Sequence, residues 1–276
     1  MKHFFSKWIT IPVSIIFLTL FLFGSLSETI HSNEVLVSRN YSSDSQNTKS
    51  YKLLKEMTQF ISRHNNYTFK AEVMYDRVVD PGIKIQVTGS EKVFVKKPDN
   101  IFIEFKTDYF SDRFLYSANT ATYLDTTTNL YTIVGELPGS INNALDQLYK
   151  SYGFEMPLSD FIYIYPYKRI ISSIRSAEYI GSSYVFGVRC HHLLFEEDDK
   201  YWQIWIEDGN RKIPRKLVVT YKDQPEFPQF IAVINDWIFN EPFPTKLFSQ
   251  DLRKNASPSS ENLFIERGKS KIGIFE

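Results

Sequence analysis

The chain has 276 residues with 32 basic and 32 acidic side chains, so its formal net charge is zero. Nucleic-acid-binding proteins carry a basic excess, and this balance gives no support for that class. Cys190 is the single cysteine, which excludes an intrachain disulfide and leaves the fold to depend on its hydrophobic core.

The first 27 residues have the pattern of a secretory signal. Lys2 and Lys7 precede an uncharged apolar run over residues 9–23, and a basic start followed by an apolar core is typical of exported proteins. Ser25 and Ser27 fit a cleavage site after Ser27. Residues 8–26 also approach the roughly 20 residues that span a bilayer, so an uncleaved inner-membrane anchor is the alternative. Both alternatives place the rest of the chain in the periplasm, because the lysines stay inside.

Residues 28–47 are polar and rich in Ser and Asn, which predicts a linker. A helix is then predicted to begin at Thr48 or Ser50 and to end near residues 64–66, because apolar residues recur at helical spacing. The apolar stripe of this helix consists of Leu53, Leu54, Met57, Phe60 and Ile61.

From Tyr67 onward the apolar period changes to two, which predicts an antiparallel meander. Turns are predicted at Asp80-Pro81-Gly82 and at residues 97–100. Gly89 interrupts the second strand and predicts a bulge. Shorter strands are predicted over residues 113–117, 120–125 and 130–134.

Residues 138–176 differ from the strands on either side and predict three helices, the first opened by Ser140 and the last over 167–176. Strands resume at 178–186, 188–196, 200–207, 213–222 and 229–239. Residues 249–276 are polar and predict a mobile tail.

These elements predict an α+β fold that is mainly antiparallel β, with about ten or eleven strands in one domain over residues 48–248. A sheet of that length twists and curls, or closes into a barrel. The helices over 50–64 and 140–176 are candidates to fill its concave side.

The later strands carry a specific run of residues that resembles a known family. The run consists of Cys190-His191-His192-Leu193, then Trp202-Gln203-Ile204-Trp205-Ile206-Glu207-Asp208-Gly209, then Pro214-Arg215-Lys216-Leu217-Val218-Val219-Thr220-Tyr221-Lys222 and Pro228-Gln229. It resembles the predicted periplasmic proteins grouped as domain-of-unknown-function family 2092, over about residues 50–250. That family is similar in fold to the LolA/LolB lipoprotein carriers. The resemblance implies a curled, half-open β-barrel with a helical lid over an apolar cavity.

The alternating apolar residues of the strands are candidates to line such a cavity, or else to fill a core, and periodicity cannot separate the two. Trp202 and Trp205 lie three apart, so they face opposite sides of their strand, and we select Trp205 for the cavity. The candidates are Tyr67, Phe69, Val73, Val87, Val93, Ile103, Phe105, Trp205, Leu217 and Val219.

The sequence contains no nucleophile elbow, P-loop, dinucleotide fingerprint or zinc-protease motif, and it predicts neither an enzyme nor a cofactor. Cys190 and His192 share one face of a strand, but two soft ligands without a second cluster make a poor zinc site. We therefore expect no metal, and we interpret His192 as a packed, hydrogen-bonded strand residue.

Two functional hypotheses follow. In the first, the exported protein binds a lipid, an acyl chain or a lipoprotein in its curved sheet and is not catalytic. In the second, it is a structural or regulatory envelope protein that binds a partner protein through the sheet or the lid. The N-terminal segment would add membrane association if it remains uncleaved.

Overall fold

The structure is a computed structural model that describes residues 43–269. The signal peptide or anchor predicted for residues 1–27 lies outside the described residues, and so does the linker up to residue 42. None of the described helices is long and apolar enough to cross a membrane.

Twelve strands of the described chain form a single sheet. Their bounds are β1 (Asn66–Asp80), β2 (Ile83–Lys96), β3 (Asn100–Thr107), β4 (Ser111–Ser117), β5 (Thr120–Asp125), β6 (Leu130–Val134), β7 (Ser176–Val185), β8 (Val188–Glu196), β9 (Lys200–Glu207), β10 (Pro214–Tyr221), β11 (Gln229–Phe239) and β12 (Ser257–Pro258). The α-helices are α1 (Ser43–Ser62), α2 (Ile141–Tyr152), α3 (Tyr167–Ile171) and α4 (Leu263–Lys269), and short 3-10 helices cover Ser159–Phe161, Thr245–Phe248 and Gln250–Arg253.

The strand order is β12-β6-β5-β4-β3-β2-β1-β11-β10-β9-β8-β7. Every pair is antiparallel except β12, which pairs in parallel with β6. The chain leaves the meander at β6, passes through α2 and α3, re-enters at the opposite edge as β7, and returns until β11 pairs with β1. β7 and β12 remain the two edges, so the sheet is open and curled. The predicted α+β class and antiparallel sheet are confirmed.

Apolar residues alternate with polar ones along the strands, so one face of each strand is buried. Phe69 on β1 lies opposite Val93 on β2, which lies opposite Ile103 on β3, and none of the three is more than 4% exposed. The stripe of α1, from Leu53 to Ile61, is buried in the same hydrophobic core. The core therefore lies between the concave face of the sheet and the helices.

The helical insert begins as predicted. The Ser140 side chain accepts a hydrogen bond from the backbone N–H of Asn143, and Gly153 ends α2 in the left-handed conformation at φ 67°. The third helix is shorter than predicted, since α3 ends at Ile171 rather than near residue 176.

Both ends of the domain differ from the predicted boundaries. α1 begins at Ser43, within the stretch interpreted as linker, because its first turns are polar and carry no apolar period to reveal them. At the other end, β12 and α4 lie within the stretch interpreted as a polar mobile tail, and Phe264 is fully buried. A single apolar pair, Leu263-Phe264, is too short to produce a periodic signal.

Gly89 does not mark a bulge, because the pairing of β2 with β1 and with β3 continues through it without a shift in register. A Cβ atom at this position would lie 2.5 Å from the Lys106 carbonyl oxygen. Glycine is required here because β3 approaches the β2 backbone closely.

Candidate functional site: the layer between sheet and lid

Residues 141–171, comprising α2, the 3-10 helix Ser159–Phe161 and α3, form a unit that we call the lid. Polar contacts hold its parts together. The Asn142 side chain donates to the Ile164 carbonyl at 2.9 Å and accepts from the Ile164 N–H at 2.7 Å. Asp146 accepts hydrogen bonds from the Tyr163 hydroxyl at 2.9 Å and from Arg169 at 3.1 Å. The lid is therefore internally cross-linked.

The contact between the lid and the sheet is almost entirely apolar. Phe161 packs edge-on against Phe69 with ring centroids 6.3 Å apart, and Phe154 stacks on Phe114 at 5.7 Å. Among the described residues, two hydrogen bonds join the lid to the sheet and its turns: the Tyr67 hydroxyl donates to the Phe161 carbonyl at 2.7 Å, and the N–H of Ile141, the first lid residue, donates to the Pro98 carbonyl in the β2–β3 turn at 2.9 Å. Burial raises the pKa of Tyr67 far above its ordinary value, so this hydroxyl remains a donor.

Most of the predicted cavity residues lie in this layer, where they are packed. Six are at most 4% exposed: Tyr67, Phe69, Val73, Val87, Val93 and Ile103. Phe105, Leu217 and Val219 are partly buried against the same core. A shallow, solvent-open depression occurs within the lid itself, near Tyr149 and Met156, with room for little more than a water molecule. Ordinary ligand pockets are far larger, roughly 300–1,000 Å³, and around the predicted cavity residues the layer is filled by side chains.

The selection of Trp205 for this layer is wrong. Trp202 belongs to the core and stacks on Phe195 with centroids 4.2 Å apart. Trp205 lies on the opposite face, where it stacks on His192 at 4.0 Å and lies under the Lys216 ammonium. The two faces differ because Trp202 shares its parity with Ile204 and Ile206.

Because the two tryptophans lie on opposite faces, we expect their substitution to lower the free energy of unfolding by different amounts. Trp202→Phe is expected to lower the free energy of unfolding by about 2 kcal/mol, since the indole N–H donates to buried Glu197 at 2.7 Å and a charged hydrogen bond contributes roughly 1.5–3 kcal/mol. Trp205→Phe loses no such hydrogen bond to any residue in the described part of the chain and should cost less than about 1 kcal/mol. Urea unfolding of both variants measures the difference, and equal losses would contradict this assignment of faces.

Glu91 is a carboxyl group inside the apolar layer. It lies on the concave face of β2, in line with Val87 and Val93, and is 2% exposed. Its Oε2 atom has no hydrogen-bond partner among the described residues. Burial raises the pKa of Glu91 to about 8, so the group is largely protonated at neutral pH.

A second buried polar cluster joins α4 to β4 and β5. Arg267 Nη2 lies 3.4 Å from an oxygen of Asp112 and 3.5 Å from an oxygen of Asp125. The Tyr123 hydroxyl donates to Asp112 at 2.6 Å. Burial raises the pKa of Asp112 to about 6, although Arg267 and the Tyr123 hydrogen bond oppose that rise. Beside this cluster, Phe264 packs edge-on against Phe154 at 5.1 Å.

His192 has the packed, hydrogen-bonded environment that the sequence predicts. His192 shares a hydrogen bond of 2.9 Å with the Gln203 side chain, which confirms a packed, hydrogen-bonded residue. Cys190 is buried, and burial raises the pKa of its thiol to about 11. No group of three or more His, Cys, Asp or Glu residues in the described chain is arranged to hold a metal ion.

An open, curled antiparallel sheet with a helical lid on its concave face is the class of fold that these observations define. The chain belongs to the DUF2092 family of predicted periplasmic proteins, whose model matches residues 50–258. The resemblance carried by residues 190–222 is thereby confirmed, and the protein is periplasmic. No curated protein sequence matches the chain.

Several solved structures are similar to this one. The lipoprotein LppX of Mycobacterium tuberculosis is 12% identical, with 71% of this chain and 98% of LppX covered at a TM-score of 0.47. A LolA superfamily protein of Nitrosomonas europaea is 7% identical, with coverages of 74% and 98% and a TM-score of 0.39. A chain of the Pseudomonas aeruginosa MucA/MucB complex is 10% identical, with coverages of 74% and 62% and a TM-score of 0.40.

Proposed function

We propose that this periplasmic protein binds the apolar chain of a lipid or lipoprotein between the concave face of its sheet and the lid, without catalysing a reaction. The filled layer is then the closed, unliganded state, and the ligand enters when the lid lifts from the sheet. The observation that carries the proposal is a contrast: polar contacts cross-link the lid, whereas its contact with the strands is mainly apolar and, in the described chain, includes one hydrogen bond from a strand side chain, that of Tyr67.

The physical reason is that apolar contacts are not directional. When an acyl chain replaces Phe154 or Phe161 against the sheet, the wall of Phe69 and Phe114 stays covered. The polar network around Asp146 moves with the lid and loses no partner. In the described chain, the Tyr67 bond to Phe161 is the hydrogen bond between a strand and the lid that opening breaks, whereas the Ile141 bond to Pro98 lies at the first residue of the lid.

Tyr67→Phe is expected to raise the affinity for a fluorescent long-chain alcohol about fivefold. The substitution removes the hydrogen bond of the closed state, which contributes about 1 kcal/mol, and so raises the fraction of protein in the open, binding-competent state. A fluorescence titration of the purified full-length protein measures the dissociation constant.

Tyr163→Phe is the matched control, since it removes a hydroxyl that bonds Asp146 within the lid and leaves the contact with the sheet unchanged. Its affinity should equal that of the wild type. The proposal is overturned if neither the wild type nor Tyr67→Phe takes up the alcohol. An equal gain in both variants would show that the Tyr67 bond does not control opening.

The second candidate is a protein that binds a partner protein through its sheet. It is favoured by the β7–β8 hairpin at the open edge of the sheet, where Tyr184 is 70% and Phe186 is 87% exposed. A photo-crosslinking amino acid in place of Phe186 should then capture one dominant envelope protein in cells. A diffuse set of weak crosslinks would argue against this candidate.

A further inference from the structure

Glu91 has no structural role that the fold explains. The side chain is 2% exposed, its Oε2 atom has no partner among the described residues, and its strand neighbours on the same face are apolar. A buried carboxyl group without a partner destabilises a fold, whereas an apolar side chain of similar size would not. A residue that breaks the local packing rule in this way is characteristic of a functional position.

The surroundings of Glu91 suit the polar end of a ligand. On the neighbouring strands Glu91 lies opposite Ala71 and Phe105. The preceding residue on the same face of β2 is Gly89. Ala71 and Gly89 are the two smallest residues that a concave face can present, so no large side chain projects beside the carboxyl group from these two positions, although the Thr107 side chain lies close to Gly89. Val87 and Val93 continue the same face as an apolar surface.

We infer that Glu91 is the anchor for the ammonium group of a long-chain amine bound in the layer between the sheet and the lid. This inference rests on the proposed function and specifies its ligand. An ammonium group supplies both the hydrogen-bond donors and the opposite charge that a buried carboxylate lacks, and charge-assisted bonds of this kind are about twice as strong as neutral ones. The apolar chain of the same molecule then takes the place of lid side chains against Phe69 and Val93.

Binding of the ammonium group displaces the proton of the Glu91 carboxyl group. In the closed state the Glu91 carboxyl group is protonated, because burial holds its pKa near 8. When the ammonium group docks, the carboxyl O–H bond breaks, the electron pair stays on the oxygen, and the proton leaves to solvent. The bound state is a carboxylate and an ammonium ion in contact, so nearly one proton is released per ligand at pH 7.

The experiment is isothermal titration calorimetry of the full-length protein with octadecylamine, octadecanol and butylamine, repeated in buffers of different ionisation enthalpy. The wild type should bind octadecylamine at least about tenfold more tightly than octadecanol, and only the amine should release a proton. Butylamine should bind far more weakly, because it lacks the apolar chain. Equal binding of both amines would mean a small-amine site and would overturn the assignment to a lipid.

Glu91→Gln is the decisive variant, and Glu104→Gln is its matched control, since Glu104 is a partly exposed residue paired with Arg113. Glu91→Gln should bind amine and alcohol equally and release no proton, whereas Glu104→Gln should behave as the wild type. An amine preference that survives in Glu91→Gln overturns the inference and leaves the proposed function standing. Failure of the wild type to bind either long-chain ligand overturns both. Proton release by the wild type tests the inference without any substitution.

Discussion

Replacing Phe264 by alanine is expected to lower the free energy of unfolding by about 3–5 kcal/mol, the usual cost of deleting a fully buried phenylalanine. The ring has no exposed surface and packs edge-on against Phe154 and Phe114, with the Tyr123 ring 5.8 Å away. Deleting it would leave a cavity among these rings. Urea unfolding followed by tryptophan fluorescence measures the loss.

Ile265→Ala is the control for this prediction, because Ile265 is the next residue of α4 and is 40% exposed. Its effect should stay within about 0.5 kcal/mol, as for ordinary surface positions. If both variants are as stable as the wild type, α4 does not pack against the sheet in solution, and the C-terminal segment is the mobile tail that its composition suggests.

Glu91→Leu is expected to raise the free energy of unfolding by about 3 kcal/mol at pH 7. The folded-state pKa of Glu91 is near 8 and the ordinary value is 4.5, so the folded protein must hold a proton that the unfolded chain has released. This penalty is absent below pH 4.5, grows as the pH rises, and is complete above pH 8. The wild type is therefore expected to lose stability over that range relative to the variant.

Unfolding of the wild type and Glu91→Leu at pH 4.5, 6, 7 and 8 checks the sign as well as the size. The two proteins should be nearly equal at pH 4.5 and should diverge steadily above it. Glu104→Leu serves as the control, because Glu104 is partly exposed beside Arg113 and does not lie in the apolar layer; the same divergence in this variant would mean that the buried position of Glu91 is not responsible. A gain in stability that does not change with pH would mean that packing, rather than the proton, is responsible. The variant is expected to be more stable and less able to bind an amine, a familiar compromise at functional positions.

Much of the sheet could be predicted from the sequence because one physical rule decides it. The alternation of β1 through β3 fixes which side chains are buried, and β5, β6, β8 and β9 have the predicted bounds. The same rule already places Glu91 on the buried face, in step with Val87 and Val93. A bulge at Gly89 would have turned Glu91 and Val93 together away from the face of Val87, and the unshifted pairing through Gly89 excludes it.

The alternation of side chains along a strand also indicates which of the two tryptophans faces the core. Trp205 alternates with Gln203 and Glu207, the polar side of β9, whereas Trp202 alternates with two isoleucines. Other features had no signal of this kind. A row of apolar residues has the same sequence pattern whether it lines a cavity or fills a core, so the packed layer could not be predicted. The single pair Leu263-Phe264 has no period, so α4 could not be predicted either.

The position of α4 has a practical consequence for the choice of recombinant fragments. The family match ends at residue 258, five residues before α4 begins at Leu263. A fragment cut at that boundary would contain the complete sheet but would uncover the rings of Phe114, Tyr123 and Phe154. It would also separate Asp112 and Asp125 from the guanidinium group of Arg267. Such a fragment is expected to be aggregation-prone, and fragments for expression should extend at least to Lys269.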